Sequence, residues 1–114
     1  ARLAQSGIDD AEAAALLASA ERPDAIFAVS DTLAAGALSA IADAGLRVPE
    51  DIAVIGFDGT ALGLMTTPQL TTIEQPSAEI GQQAVTLLLR KINEPESVPE
   101  KSILAWRFTQ RASA

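Results

Sequence analysis

Two side chains stand where a small molecule could be held, Ser30 and Asp58. Each follows a short uncharged run, Ala25-Ile26-Phe27-Ala28-Val29 before Ser30 and Ile52-Ala53-Val54-Ile55-Gly56-Phe57 before Asp58. Apolar runs without alternation read as strands of a parallel sheet covered on both faces. Open sheets of that kind bind ligands beyond the carboxyl ends of their strands. If the two strands are neighbours, Ser30 and Asp58 share that rim. A carboxylate accepts hydrogen bonds from two adjacent hydroxyls at once, which suits a polyol or a sugar. Plainer explanations exist for each. Ser30 or Asp31 can cap the next helix by accepting a free N–H of its first turn, and position alone favours that reading for both. Asp58 can stabilise its own loop through an Asx-type turn with Gly59 and Thr60, and for it both readings stand.

Other chemistry finds little support. The chain has no cysteine and no histidine. Disulfides, thiolate chemistry, zinc-finger sites and the commonest general base are therefore absent, and a serine triad lacks its middle member. Neither the dinucleotide fingerprint nor the Walker pattern occurs. Gly56-Phe57-Asp58-Gly59 follows a strand but leads into a loop, a weak phosphate site. We expect no enzyme, no cofactor and no metal site. Net charge is −7, from 15 acidic and 8 basic residues. The basic residues are dispersed, with only Arg90-Lys91 adjacent, so no cluster is available to displace counterions from nucleic-acid phosphates. An apolar content of 48% excludes disorder. No run approaches a membrane span, and no signal-peptide pattern opens the chain. The 114 residues suit a single α/β region, and Ala1 in place of Met leads us to expect a fragment or a processed product.

The elements that must position these residues follow from local pattern. Residues 9–20 read as a helix on Ala and Leu propensity, stopped by Pro23-Asp24. A strand over 25–29, a helix over 31–44 and a strand over 52–57 make one β-α-β unit, right-handed by the usual rule. Leu33, Ala37, Leu38 and Ile41 share a face of that helix, and Gly45 ends it as a left-handed cap. Gly36 inside it costs about 1 kcal/mol against Ala, which suggests close packing there. A loop with Gly59, Gly63 and Pro68 leads to a short strand over 70–73. Pro76 or Ser77 opens a long helix with Ile80, Ala84, Leu87, Leu88 and Ile92 as its apolar stripe, ended by Asn93 and Pro95. Residues 94–101 are a connector. A last strand spans 102–109, with Trp106 and Phe108 read as core rather than as stacking platforms.

The linked segments Pro23-Asp24-Ala25-Ile26-Phe27-Ala28, Ser30-Asp31, Gly36-Ala37, the run from Gly45 to Asp58, Pro68, Leu70-Thr71-Thr72-Ile73, Gln75-Pro76 and Arg111-Ala112-Ser113 occur in that order. Together they resemble the C-terminal third of LacI/GalR-type transcriptional regulators, over residues 22–113. The resemblance implies a periplasmic-binding-protein-like, three-layer α/β subdomain with a parallel sheet, part of a two-subdomain core with the ligand in its cleft. It implies that Asp58 is a cleft carboxylate, that Ser30 replaces a polar contact (often Asn), and that Gln75 lies at the crossover between subdomains. Helix 76–93 would belong to the second subdomain. Leu33 and the loop Leu64-Met65-Thr66 match the family's dimer surface, and exposed Leu and Met in a loop fit burial by a partner. The partners implied are a small carbohydrate-like effector, a second copy, and operator DNA reached only through an N-terminal helix-turn-helix absent here. The compartment implied is the cytoplasm. Three departures stand out: Gly59 replaces a second Asp or Asn, Trp106 replaces a frequent Pro, and this sequence lacks the helix-turn-helix and most of one subdomain, with residues that would close over the effector, including an upstream basic contact. The isolated chain is expected to self-associate or to repack helix 76–93. A periplasmic sugar-binding protein of an importer is the alternative, sharing the fold without the dimer, and an α/β enzyme fragment is a third reading. An upstream helix-turn-helix would mark the first, and a signal peptide or lipobox Cys the second.

Overall fold

The computed structural model describes residues 3–6 and 10–114. In chain order the elements are strand β1 (Leu3–Ser6), helix α1 (Asp10–Ala18), β2 (Ala25–Ala28), α2 (Asp31–Asp43), β3 (Ala53–Asp58), α3 (Leu62–Met65), β4 (Thr71–Glu74), α4 (Ser77–Asn93) and β5 (Arg107–Thr109). One sheet carries all five strands in the order β1-β2-β3-β4-β5. The first four run parallel and β5 is antiparallel to β4. The chain divides into two compact units, 1–74 with 107–114, and 75–106.

In the first unit the core is built by α2 against β2 and β3. Ala34, Ala37, Leu38 and Ile41 of α2 are buried together with Ile26, Ala28, Ile52, Val54, Leu70 and Leu17. Leu33 packs at the margin of this cluster. The helix ends as its sequence requires. Gly45 takes a φ of 71°, its N–H donates to the Ala42 carbonyl, and the Leu46 N–H donates to that of Ile41. That pair of bonds is a Schellman cap, and it depends on a residue that tolerates the left-handed region.

The uncharged strands predict cover on both faces. Burial instead alternates, with Ile26, Ala28 and Val54 inside and Ala25, Phe27, Ala53 and Ile55 only half-buried. The strand order supplies the reason. It advances in one direction, and right-handed crossovers advancing one way lay their helices on the same face. On the opposite face Phe27 and Phe57 meet edge to face, ring centroids 6.4 Å apart.

Three expectations need correction. Leu64 and Met65 lie on the one-turn helix α3 rather than in a loop. The last strand is confined to Arg107–Thr109, shorter than 102–109. Trp106 and Phe108 are not core, since they are 65% and 48% exposed. Phe108 lies on β5, the edge strand of the sheet, and Trp106 precedes that strand as the last residue of the second unit.

The second unit consists of α4 and the connector that follows. None of the α4 residues is buried, and Ile80, Val85, Leu88, Leu89 and Ile92 are all exposed. The connector is tied to the last turns of the helix. Arg90 Nη1 reaches Glu100 at 2.5 Å, and Lys91 Nζ donates to the Ser97 carbonyl at 2.6 Å. The Glu100 carboxylate holds the Arg90 guanidinium above its ordinary pKa. Among the described residues no helix is long and apolar enough to cross a membrane.

Candidate functional site

Strands β2, β3 and β4 are neighbours, so their carboxyl ends form one rim. Phe27 is in register with Ile55, β2 ends at Ala28, and Ser30 follows two residues later. Asp58 is in register with Glu74 on the other side. Gln75 is the next residue in the chain and the first of the second unit. Asp58 is thus the last residue of β3 and Ser30 lies just past the end of the neighbouring strand β2, while Gln75 opens a different unit. The strand order shows no reversal among β1–β5, so this rim is marked by its side chains and backbone rather than by a switch of strand order.

Ser30 is the N-cap of α2. Its backbone is extended, and its Oγ accepts the Leu33 N–H at 3.2 Å. That bond uses an acceptor lone pair and leaves the hydroxyl proton to donate. Asp31, read from sequence as a cap, is not one. It is the first residue of the helix, 1% exposed, and its carboxylate gathers three donors from other elements. Oδ2 accepts the Thr60 N–H at 2.6 Å and the Thr60 hydroxyl at 3.0 Å, and Oδ1 accepts the Thr72 hydroxyl at 2.6 Å. Burial explains why these bonds form, because an unpaired buried carboxylate is costly. Gly56 makes the room, since a Cβ there would lie 2.5 Å from Asp31 Oδ1 and 2.8 Å from Leu70 Cδ2.

Asp58 is half-buried at the end of β3 with a φ of 109°. A non-glycine residue held there carries strain of about 1–3 kcal/mol, a cost that recurs at ligand clamps. Gly59 follows at φ 73°, and a Cβ on it would collide with the side chain of Glu74. An Asx-type turn at Asp58 would need the Thr60 amide two residues on. That amide is donated to Asp31 instead.

Glu74, missed in the sequence, closes the rim. Its carboxylate pairs with the Arg107 guanidinium and lies 3.6 Å from Arg111 Nη2. The hydrogen bond from Arg107, followed by that from Thr109, holds its carboxyl below the ordinary carboxylate value. The only sequence signal was an acid at a strand end, two residues after Thr72. Below the rim, the Arg111-Ala112-Ser113 ending has a structural task. The buried Ser113 Oγ accepts the Thr71 N–H at 2.8 Å and donates to the Val54 carbonyl at 2.6 Å, joining β3 to β4. Arg111 Nη1 donates to the Leu70 carbonyl at 2.9 Å.

The proposed dimer residues are placed as follows. Leu33 is half-buried near the start of α2, and α3 packs against that helix. On α3, Leu64 and Met65 are 54% and 80% exposed. Thr66 spends its hydroxyl internally, on the Gly63 and Pro68 carbonyls. A groove of about 750 Å³ between α1 and α2, lined by Leu17, Arg22, Gly36 and Ala40 among others, touches none of the rim residues. Among the described residues no three Asp or Glu side chains converge as a metal ion would need.

This arrangement matches known proteins. The family described as periplasmic binding protein-like domain fits residues 2–114. The ribose operon repressor of Haemophilus influenzae is 46% identical over 80 residues, which are 70% of this chain and 24% of that protein. A LacI family transcriptional regulator from Enterococcus faecium, solved with bound ribose, superposes with a TM-score of 0.80 at 39% identity. That match covers 91% of this chain and 38% of the other. A transcriptional regulator solved as a complex with cellobiose gives a TM-score of 0.86 at 32% identity, over 92% of this chain and 32% of that one. The chain therefore spans about a quarter to two fifths of the length of these relatives. With the sheet, the caps and the Arg111–Ser113 ending all accounted for, the chain belongs to the periplasmic binding protein-like domain family, in the form carried by LacI-family regulators.

Proposed function

We propose that this chain is the effector-sensing and dimerising portion of a LacI-type transcriptional repressor. Asp58 and Ser30 contact a small carbohydrate-like effector, and Gln75 contributes from the crossover. The observation that carries this reading is the state of Asp58. It sits half-buried at the end of β3 in a strained backbone conformation, beside the carboxyl ends of two neighbouring parallel strands. A carboxylate in a strained backbone conformation at the rim of a parallel sheet suits a ligand contact. Relatives with ribose or cellobiose bound support a sugar over other small molecules.

In the full-length protein, helix α4 belongs to a second subdomain, and Leu33, Leu64, Met65 and Thr66 face a second copy. An effector acts by binding one domain arrangement better than the other, and it can shift operator affinity only by that difference. Operator DNA is contacted by an upstream helix-turn-helix, consistent with the acidic charge here. We place the protein in the cytoplasm and assign it no catalysis. The repressor name of its relative favours this over the solute-binding protein of an importer.

A thermal-shift series on the full-length protein with ribose, lactose and cellobiose tests the reading. A sugar at a hundredfold its Kd stabilises the native state by about 2.7 kcal/mol. We expect one of them to raise the midpoint of the parent and to leave Asp58→Ala unmoved. Equal shifts in both proteins would remove Asp58 from the site.

A further inference from the structure

The rim contains a buried acid that the effector reading does not use. Asp31 is 1% exposed and lies between two residues of different assignment, Ser30 at the rim and Leu33 near the dimer surface. Its Oδ2 holds Thr60 through both the main-chain N–H and the hydroxyl, and its Oδ1 holds Thr72. Thr60 is two residues beyond Asp58, and Asp58 and Gly59 before it have φ values of 109° and 73°. A turn with consecutive positive φ values is not one that a non-glycine residue keeps unaided. The buried end of this turn is fixed from outside, by a carboxylate on α2.

We propose that Asp31 is the positioning residue of the effector site. It clamps the Asp58-Gly59-Thr60 turn onto the first turn of α2, so that the direction of the Asp58 carboxylate is set by the helix carrying Ser30 and Leu33. The space it needs is reserved by Gly56, where any side chain would displace the carboxylate. A consequence follows for coupling: moving the start of α2 moves Asp58 with it, because the link is two hydrogen bonds to one residue rather than a long chain of contacts. The proposal rests on the assignment of Asp58 to the effector, but the clamp itself is measurable without an effector.

The test uses the full-length protein with ribose as the probe, and reads two quantities. The first is hydrogen exchange at the Thr60 amide, and the second is ribose affinity by calorimetry. In Asp31→Ala the Thr60 amide loses its acceptor, and we expect exchange there to rise by about tenfold or more, with ribose affinity falling by a similar factor. Asp31→Asn keeps an acceptor for the Thr60 amide and turns its NH₂ toward Thr72, whose hydroxyl oxygen can accept. It should restore most of both quantities, which a loss of general stability would not predict. Thr60→Val removes one bond from an exposed residue and should weaken ribose binding about threefold, keeping the test alive if Asp31→Ala does not fold. Unchanged Thr60 exchange in Asp31→Ala would overturn the clamp. Faster exchange with unaltered ribose affinity, in a protein where Asp58→Ala has lost it, would overturn the positioning role. If Asp58→Ala still binds ribose, the effector assignment fails instead; if the parent binds lactose or cellobiose rather than ribose, that sugar replaces ribose as the probe; and in either case Thr60 exchange decides the clamp by itself.

Discussion

Helices α2 and α4 have similar apolar content in their stripes and opposite fates. In α2 the residues Ala34, Ala37, Leu38 and Ile41 are all buried against β2 and β3. In α4 the stripe is the cleaner of the two by sequence, yet Leu88 is 59% exposed and no residue is buried. Amphipathicity tells which face a helix would bury, and says nothing of where the covering surface comes from. For α2 that surface is the sheet supplied by the strands on either side of it in sequence. Within its own unit α4 has no such surface. We therefore expect substitutions in the first unit to act on stability and those in the second to act on association.

Substitutions in the two units should separate accordingly. Ile41→Ala, at a fully buried position, should destabilise the isolated chain by about 2–5 kcal/mol in urea unfolding followed by circular dichroism. Ser113→Ala leaves the buried Thr71 N–H without its acceptor and should cost about 1–3 kcal/mol in the same assay. Glu74 contributes a pH dependence. Its folded pKa is depressed below 4.5, so its stabilising contribution is present above that value and is lost as pH falls through the lower folded value. Arg107→Gln should flatten the acid limb of the unfolding midpoint against pH, and an unaltered limb would contradict the pairing. Leu88→Ala should alter unfolding of the chain by no more than about 0.5 kcal/mol. The same substitution should shift sedimentation toward the monomer if the exposed stripe drives self-association. A parent chain that sediments as a clean monomer, with α4 protected from exchange, would contradict the contrast drawn between the helices.

What could be read in the sequence was local. The Gly45 cap, the bounds of α2 and the parallel pairing of the two apolar strands follow from short-range pattern, and the structure has all three. β1 could not be read, because Leu3-Ala4-Gln5-Ser6 offers neither alternation nor a long apolar run, and its strand conformation comes from pairing with β2. α3 is too short for periodicity to register. Asp31 failed for a different reason. Its place beside Ser30 fits a cap, while its partners are Thr60 and Thr72, 29 and 41 residues away. Glu74 and Arg107 are likewise paired only because β5 returns antiparallel beside β4. Trp106 and Phe108 show the limit of composition, since an aromatic on or just before an edge strand needs cover that the strand itself cannot supply.

The assignment of the rim to an effector is tested most directly at the DNA. Fluorescence anisotropy of labelled operator, with the full-length protein and with Asp58→Ala, should give equal affinities in the absence of sugar. Adding the sugar that stabilises the parent should shift operator affinity of the parent and leave that of Asp58→Ala unchanged. A variant that responds at the same sugar concentration as the parent would show that the carboxylate at the end of β3 does not contact the effector.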